Sequence, residues 1–348
     1  MSSDTTPPPF VHLRVHTEFS LVDGLVKIKP LVKRTAELGM AAVAMTDQSN
    51  LFGLVKFYSA ALDAGVKPIA GCDLWIIGEE GEAPSRLTLL AQNEAGYLNL
   101  TELVSRSFTE GQRDDRAIVD RDWLDGRTHG LIALSGGRDG DVVQALNAGH
   151  EDVADARIGY WLERFGDRFY LEVTRTGRAG EDAWVHAAVD LAERHGCPVV
   201  ATNDVRFLSP DDFEAHETRV CIHDSRVLGD PRRPRSYSEQ QYLRSPEEMA
   251  ELFSDLPEAL ENTVQIARRC SLTMRLGTYF LPEFPIPEGD TIATFFEKES
   301  FRGLDGRLER LLDRDDPDYA AKRAVYEERL RFELKIILDM DFPGYFLI

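Results

Sequence analysis

The sequence predicts an α/β fold built from βαβ units around a parallel sheet or barrel. Short apolar or β-branched runs alternate with helical patterns through most of the first 210 residues. That alternation is typical of parallel strands joined by crossover helices. After about Asp211 the strand patterns stop, whereas helical patterns continue. The early part of the chain therefore predicts the sheet or barrel, and the later part adds helices.

The composition is that of an ordinary globular protein. Of 348 residues, 43% are apolar and 29% are charged, with no apolar run long enough to span a membrane and no secretory signal. The four cysteines are scattered without a CxxC spacing, which is typical of a cytoplasmic protein. The net charge of −20 predicts weak DNA binding by this chain alone, unless a local basic patch overrides it.

The first βαβ unit begins near the start of the chain. Residues 10–16 alternate apolar and polar side chains, which predicts a strand with His12, Arg14 and His16 on one face. A helical pattern covers residues 30–38, with a proline at its start and a glycine after its end. Those two positions are the ones that proline and glycine favour in helices.

Further strands with the same character follow at intervals. They are predicted at residues 41–47, 68–73, 86–91, 130–135, 169–174 and 198–204. Several carry a polar residue or glycine at or just past the carboxyl end: Asp47, Asp73, Gly136, Glu172 and Asp204. In a (β/α) barrel these ends converge on the mouth, where active sites lie.

Later segments are helical. Helical patterns cover residues 246–253 and 257–269, and a proline-rich stretch at 279–289 indicates a domain boundary. A charged helical region follows at 291–339. The apolar residues 342–348 are typical of an interrupted strand, because natural termini are usually polar.

Several short motifs coincide with the predicted strands. They are His-Leu-Arg-Val-His at 12–16 with Leu-Val-Asp-Gly at 21–24, Thr-Asp-Gln-Ser-Asn-Leu-Phe-Gly at 46–53, Gly-Cys-Asp at 71–73, Leu-Ser-Gly-Gly at 134–137, Tyr-Leu-Glu at 170–172 and Ala-Thr-Asn-Asp-Val-Arg at 201–206. In order and spacing they resemble the polymerase and histidinol phosphatase (PHP) domain, in the form attached to bacterial DNA polymerase III alpha subunits. Residues 340–348 resemble the early palm segment of the same polymerase family, with Asp341 where that pattern has glycine.

The resemblance implies a domain organisation and a parent function. It implies a flexible tail at 1–9, a distorted (β/α)7 barrel of the PHP type at 10–280 and the truncated start of a polymerase palm at 281–348. The implied parent is a cytoplasmic DNA-directed DNA polymerase that uses magnesium at palm aspartates beyond Ile348. The barrel is implied to dock the proofreading exonuclease subunit, while the rest of the parent contacts DNA and the sliding clamp. The fragment itself is expected to be catalytically inactive, without a cofactor or a membrane partner.

In metal-binding members these motifs carry the ligands of metal ions, mostly histidines. Carried over position by position, the residues that stand where the family has histidine or cysteine are Arg14, Gln48, Gly137, Thr176 and Arg206. Those that keep a group able to bind metal are His16, Asp23, Asp73 and Asp204, with Asp73 shortened from glutamate. Asp47 and Glu172 are the associated carboxylates.

Two arginines decide the interpretation of this damaged pattern. A guanidinium has no acceptor lone pair and stays protonated, so Arg14 and Arg206 cannot be ligands. Each also places a fixed positive charge where a metal ion would lie. We therefore expect no metal, and salt bridges from the two arginines to carboxylates drawn from a small set: Asp23, Asp47, Asp73 and Asp204.

Two other functions remain open from the sequence. One is a residual metal-dependent phosphoesterase or pyrophosphatase that uses His16 and the remaining carboxylates. The other is an independent interaction domain, which the palm-like residues 342–348 disfavour. The basic residues 232–235 either contact a nucleic-acid backbone or form a solvated loop.

Overall fold

The computed structural model describes residues 9–78, 83–278 and 282–348. The chain divides into two compact units, Met1–Met274 and Arg275–Ile348. All but the last residue of the predicted tail at 1–9 lies outside the described residues. That residues 281–348 begin a polymerase palm stays a prediction.

The first unit is organised around a sheet that closes on itself. Its strands are β1 (Ala42–Met45), β2 (Lys67–Ile77), β3 (Ser85–Ala91), β4 (Gln112–Arg113), β5 (Arg116–Asp120), β6 (Leu131–Leu134), β7 (Phe169–Thr174) and β8 (Val199–Thr202). Neighbours pair in the order β1, β2, β3, β6, β7 and β8. The hairpin of β4 and β5 pairs with the far end of β2 and lies outside this order.

Residues 11–16 close the ring between β1 and the end of β8. On one side, the backbone N–H of Thr46 donates to the carbonyl of Val15 at 3.0 Å. On the other side, the N–H of His16 donates to the carbonyl of Val205 at 2.9 Å. With this segment, the ring has seven strands within the described residues, and β3 runs antiparallel to both its neighbours. The predicted distorted (β/α)7 barrel is confirmed.

Helices connect the strands and form the second unit. The first unit contains α1 (Ile28–Glu37), α2 (Leu54–Asp63), α3 (Glu94–Thr109), α4 (Asp141–Asn147), α5 (Glu151–Phe165), α6 (Glu181–His195), α7 (Phe213–His223), α8 (Pro246–Leu252) and α9 (Pro257–Arg269). The second contains α10 (Ile292–Leu311), α11 (Tyr319–Asp339) and α12 (Pro343–Leu347). Ser245 and Glu248 form a capping box at the start of α8, which satisfies N–H groups that the helix leaves unpaired. No helix within the described ranges is long and apolar enough to cross a membrane.

The barrel interior changes character along its axis. At one end, Ile69, Ile132 and Val200 pack with Ile266 of α9 in a buried apolar cluster. Toward the carboxyl ends of the parallel strands, the buried side chains are polar or charged. Because β3 runs antiparallel, its first residues reach the polar end and its last residues reach the apolar end.

Three elements differ from the sequence-based prediction. The interrupted strand predicted over residues 342–348 is wrong, because Pro343–Leu347 form α12 with a proline in the first turn, where its fixed φ favours a helix. Strands β4 and β5 have no counterpart among the predicted strands. Both residues of β4 are exposed, so they lack the apolar alternation that indicates a strand.

Two helical glycines should respond in opposite ways to alanine. A Cβ at Gly96 of α3 would lie 1.8 Å from the carbonyl oxygen of Gly130, whereas a Cβ at Gly159 of α5 would meet nothing within 4 Å. We expect Gly96→Ala to lower the free energy of unfolding by about 1–3 kcal/mol or more. Gly159→Ala should raise it by about 0.5–1 kcal/mol, because alanine favours the helix. Urea denaturation measures both, and equal shifts would contradict the close approach of Gly96 to Gly130.

Candidate functional site

The polar end of the barrel holds a cluster of buried charges. Asp73 lies on β2, Glu172 lies on β7, and Asp204 follows β8. Arg14 lies on the segment that closes the ring. These four side chains are at most 2% exposed. The barrel therefore brings charges from four separate stretches of the chain to its mouth, as the sequence predicted.

Arg14 occupies the middle of this cluster. Its Nη2 donates to Asp73 Oδ2 at 2.8 Å, and its Nη1 lies 3.4 Å from Glu172 Oε1. Its Nε lies 3.4 Å from Asp204 Oδ1. Nη1 also donates to the carbonyl oxygen of Gly136 at 3.2 Å. One guanidinium thus contacts three carboxylates, two on strands and one in the segment after β8.

Arg206 forms a second set of ion pairs beside the first. Its Nη2 donates to Asp204 Oδ1 at 2.6 Å, and its Nη1 donates to Asp23 Oδ2. The Arg206 side chain is 3% exposed and that of Asp23 is 1% exposed. The expected salt bridges of Arg14 and Arg206 are therefore present, with Asp204 shared between them.

His16 links the same carboxylates. Its Nδ1 lies 2.9 Å from Asp23 Oδ1, and its Nε2 lies 2.9 Å from Asp73 Oδ2. His12, predicted on the same strand face, instead places its Nε2 2.9 Å from the carbonyl oxygen of Arg244. Burial lowers the pKa of His12 to about 4, so its ring is neutral near pH 7. Only His16 of these two histidines belongs to the cluster.

Asp47, the remaining candidate partner of the arginines, is held differently. It accepts hydrogen bonds from the backbone N–H of Thr17 at 2.6 Å, the Thr17 hydroxyl at 2.7 Å and the Ser20 hydroxyl at 2.7 Å. Among the described residues, no arginine or lysine nitrogen lies within 4 Å of the Asp47 carboxylate. Burial raises the pKa of Asp47, although the hydrogen bonds from Ser20 and Thr17 oppose that rise. Asp47 therefore fixes the loop after residue 16 and pairs with no arginine.

Three further predicted positions lie against the cluster. Gln48 Oε1 accepts a hydrogen bond from Arg86 at 2.6 Å. Thr176 Oγ1 accepts one from Arg178 Nε at 2.8 Å. A Cβ at Gly137 would lie 3.4 Å from Arg14 Nη1. It stays a prediction that all the positions matched to the family pattern correspond to former metal ligands.

Sequence reasoning missed Arg86. This side chain is 6% exposed, and its Nη1 lies 3.6 Å from Asp73 Oδ2. Thr88, two residues further along β3, donates to Asp73 Oδ1 at 3.2 Å. Strand β3 is antiparallel and presents its amino end to the mouth, whereas the predicted site residues lie toward the carboxyl ends of strands. Arg86 and Thr88, which alternate with Leu87 and Leu89, were the available signal.

Loop residues complete the cluster. Arg178 Nη1 lies 3.6 Å from Asp204 Oδ2, and Gln241 Nε2 donates to that oxygen at 2.8 Å. The Tyr237 hydroxyl donates to Asp23 Oδ2 at 3.0 Å. These loops carry no regular pattern, so no sequence signal placed them at the mouth.

The cations determine which carboxylates ionise. Burial alone raises the pKa of Asp23 and Asp73, but neighbouring cations hold both values well below the usual range. Arg206 does this for Asp23, and Arg14 does it for Asp73. Burial likewise raises the pKa of Asp204, and Arg14 and Arg206 together lower it. These three carboxylates are therefore charged at neutral pH.

Glu172 follows the opposite direction. Burial raises its pKa more than the charge of Arg14 lowers it. Its Oε1 accepts from the Thr202 hydroxyl, while its buried Oε2 has no hydrogen-bond partner among the residues that the structure describes. Of these four carboxylates, Glu172 is thus the one for which burial outweighs the neighbouring cations, so that its pKa is raised.

The arrangement does not fit a metal ion. Metal binding needs acceptor lone pairs directed at one point. Here oxygens of Asp73 and Asp204 face the guanidinium of Arg14, which has no lone pair to offer. In the described parts of the chain, no group of three or more His, Cys, Asp or Glu side chains is placed to hold a metal ion.

Comparison with known proteins agrees with this architecture. The PHP domain family matches residues 12–176, a range that includes Arg14, Asp73 and Glu172. The chain contains a PHP domain. The resemblance that the sequence motifs indicated is thereby confirmed.

High identity extends over nearly the whole chain to one class of polymerase. DNA polymerase III subunit alpha of Pseudomonas aeruginosa is 60% identical over 340 residues, which are 97% of this chain and 29% of that protein. DNA polymerase III subunit alpha of Escherichia coli K12 is 52% identical over 98% of this chain and 29% of that protein. The chain thus spans about 29% of the length of these curated relatives.

A solved amidohydrolase from Chromobacterium violaceum also aligns with the chain. It is 13% identical, with a TM-score of 0.36, over 60% of this chain and 96% of that chain. Similarity at this level adds nothing to the assignment of the fold.

Removing Arg14 should destabilise the PHP domain strongly. Arg14→Ala would leave Asp73 and Asp204 buried without their shared cation, which typically costs about 3–5 kcal/mol. As a control, Lys33→Ala removes an exposed pair with Glu37 and should cost about 0–1 kcal/mol. Urea denaturation at neutral pH measures both variants. An Arg14→Ala variant as stable as the unmodified chain would contradict a buried pair.

The same pairs predict a sensitivity to acid. Asp23, Asp73 and Asp204 have lowered pKa values in the folded chain, against about 3.9 when unfolded. Their contribution is fully present above about pH 4 and is lost as the pH falls through the folded pKa values. The raised pKa of Glu172 acts oppositely, because the folded state takes up that proton first and gains stability as the pH falls from neutral.

Arg14→Ala should weaken the acid-dependent loss, because Asp73 and Asp204 would lose the cation that lowers their pKa. Unfolding measured at several values between about pH 5 and pH 2 tests this. An acid profile identical to that of the unmodified chain would show that Arg14 does not set those pKa values.

Proposed function

We propose that the PHP domain is a catalytically inert scaffold in which buried guanidinium–carboxylate pairs stand in place of metal ions. The observation that carries this proposal is the position of Arg14, buried between Asp73, Glu172 and Asp204. A cation fixed there supplies the positive charge that such carboxylates need when water is excluded.

Electrostatics supports the exclusion of a divalent ion. Two unit charges about 4 Å apart interact by about 4 kcal/mol at an effective dielectric constant near 20. A divalent metal ion among these carboxylates would be repelled by Arg14 about twice as strongly, because the ion carries two positive charges. Arg206 would add to it, because it contacts Asp204 as well.

The alternative function, a metal-dependent phosphoesterase or pyrophosphatase, depends on His16. Both ring nitrogens of His16 lie 2.9 Å from carboxylate oxygens, those of Asp23 and Asp73. A ligand histidine needs one nitrogen directed at the metal ion. The contacts of His16 therefore favour the scaffold.

We also propose that the chain is the N-terminal part of a DNA polymerase III alpha subunit. Identities of 60% and 52% to proteins of that name, over nearly the whole chain, support this. The activity of the whole protein would be DNA-directed DNA polymerisation in the cytoplasm, with magnesium held by palm aspartates outside these 348 residues. The remainder of that protein would contact DNA and the sliding clamp.

The proposed role of the barrel is to dock the proofreading exonuclease subunit, and this rests on the resemblance to the polymerase family. A barrel held together by internal ion pairs offers a rigid surface. Docking there would raise the effective concentration of the exonuclease near the primer end without a tight contact at that end.

The purified chain should contain no stoichiometric zinc, manganese or iron and should hydrolyse no phosphate ester, because Arg14 and Arg206 fill the mouth. Elemental analysis after dialysis measures the metal. Added zinc or manganese should also leave the melting temperature unchanged, since a ligand stabilises the folded state only if it binds there. One equivalent of metal per chain would overturn the inert scaffold.

Mixing the chain with the cognate exonuclease should give a one-to-one complex in size-exclusion chromatography. A standard interface would bury about 800 Å² on each partner. A shortened chain that ends near residue 280 should form the same complex, because the barrel lies before that point. If binding requires residues 281–348, the barrel is not the dock.

A further inference from the structure

Lysine is concentrated in one small part of this acidic chain. Of eight lysines in 348 residues, four lie between residues 27 and 56. They are Lys27, Lys29, Lys33 and Lys56. All four lie on α1 or α2 or at the start of α1. This produces a local positive surface on a chain whose net charge is −20.

A groove of about 620 Å³ runs between these two helices. Its lining includes Lys27, Lys29 and Lys56 above the apolar side chains of Phe19 and Ile28. Two carboxylates, Glu18 and Asp63, line it as well. The groove therefore combines an apolar floor with a rim in which cations exceed anions.

The rim lysines are available for a partner. Within the described residues, no carboxylate lies within 4 Å of Lys27, Lys29 or Lys56, whereas Lys33 pairs with Glu37 at 3.7 Å. Lys56 Nζ lies 5.3 Å from the centre of the Phe19 ring. Lys27 precedes α1 and makes no side-chain cap, so the positive end of that helix adds to the same potential.

Exposed apolar side chains lie on α2 and just before it. Phe52 is 64% exposed, and Val55 and Leu62 are each 54% exposed. Val55 and Leu62, seven residues apart, lie on one face of α2, and Phe52 lies in the turn that precedes the helix. Exposed apolar side chains on the helix that also carries Lys56 indicate an interaction site.

We propose that the groove lined by Lys27, Lys29 and Lys56, here named the lysine groove, docks an acidic amphipathic helix of a partner protein, and that Phe52, Val55 and Leu62 supply further apolar contacts on and just before α2. Apolar residues at helical spacing in the partner match the floor and the exposed face of α2. Acidic residues beside them match the lysines. The charge and the exposed apolar side chains of this surface indicate its partner, so docking of a helix here does not depend on docking of the exonuclease.

The observations favour a helix over a nucleic acid. Charges are screened beyond about 8 Å at physiological ionic strength, so a short acidic helix experiences mainly the local lysines. A long polyanion would extend over the remaining, net acidic surface and be repelled. The apolar face of α2 also offers nothing to a phosphate backbone.

The test uses the 348-residue chain and a synthetic helix of about 18 residues, with leucine at every third or fourth position and glutamate elsewhere. We expect Lys27→Glu, Lys29→Glu and Lys56→Glu together to weaken binding at least about tenfold. The control carries the same change in charge at another basic cluster: Arg226→Glu, Arg232→Glu and Arg235→Glu. It should alter binding less than about twofold.

A second pair of variants tests the apolar contribution. Val55→Ser with Leu62→Ser should weaken binding, whereas Leu98→Ser on α3, at a site 58% exposed, should not. Thermal melts confirm that each variant is folded. If the triple lysine variant does not fold, Lys29→Glu and Lys56→Glu measured singly should each weaken binding about threefold.

Four results would overturn the proposal. The first is equally tight binding of a peptide of the same composition that is shuffled to remove its apolar face. The second is a loss of binding in the arginine control as large as that in the lysine variant. The third is a single-stranded oligonucleotide that binds the same lysines more tightly than the peptide. The fourth is a longer protein, including the remainder of the polymerase, that does not bind the peptide because its own residues fill the groove.

Discussion

The guanidinium of Arg14 is buried, so the residues around it must balance its charge. An unpaired charge in such a place would be strongly destabilising, because water no longer solvates it. The balance comes from Asp73 on β2, Glu172 on β7 and Asp204 just after β8, and these strands are distant in sequence and parallel in space. These strand ends must therefore stay in register with the segment that closes the ring. The barrel mouth is fixed by electrostatics, whereas its other end is fixed by apolar packing.

The mouth brings four arginines against four buried carboxylates, those of Asp23, Asp73, Glu172 and Asp204. Arginines 14, 86, 178 and 206 lie within 4 Å of a cluster carboxylate. Asp23, Asp73 and Asp204 have lowered pKa values, while burial raises that of Glu172. The arginines therefore favour the charged form of the three aspartates, whereas burial outweighs the effect of Arg14 on Glu172.

The sequence predicts those site residues that lie toward the carboxyl end of a parallel strand. Asp204, which follows β8, and Asp73, at the end of the strand predicted over residues 68–73, were identified because carboxyl ends of parallel strands converge. Strand β2 in fact continues to Ile77. Arg86 was missed because β3 is antiparallel, and strand direction is set by tertiary pairing rather than by local pattern. Tyr237 and Gln241 were missed because irregular loops have no period. The helix at residues 343–347 was mistaken for a strand, since a short apolar run fits either element.

The loop from residue 17 to residue 26 connects the charged mouth with the lysine groove. At one end of the loop, Asp23 is bound by Arg206 inside the barrel. Near the other end, Phe19 lies under Lys56 and lines the groove. Ion pairs at the mouth therefore hold one wall of an outer surface in place. In the proposed inert scaffold, the mouth would stay closed by these pairs, and that rigidity would preserve the shape of a groove on its outside.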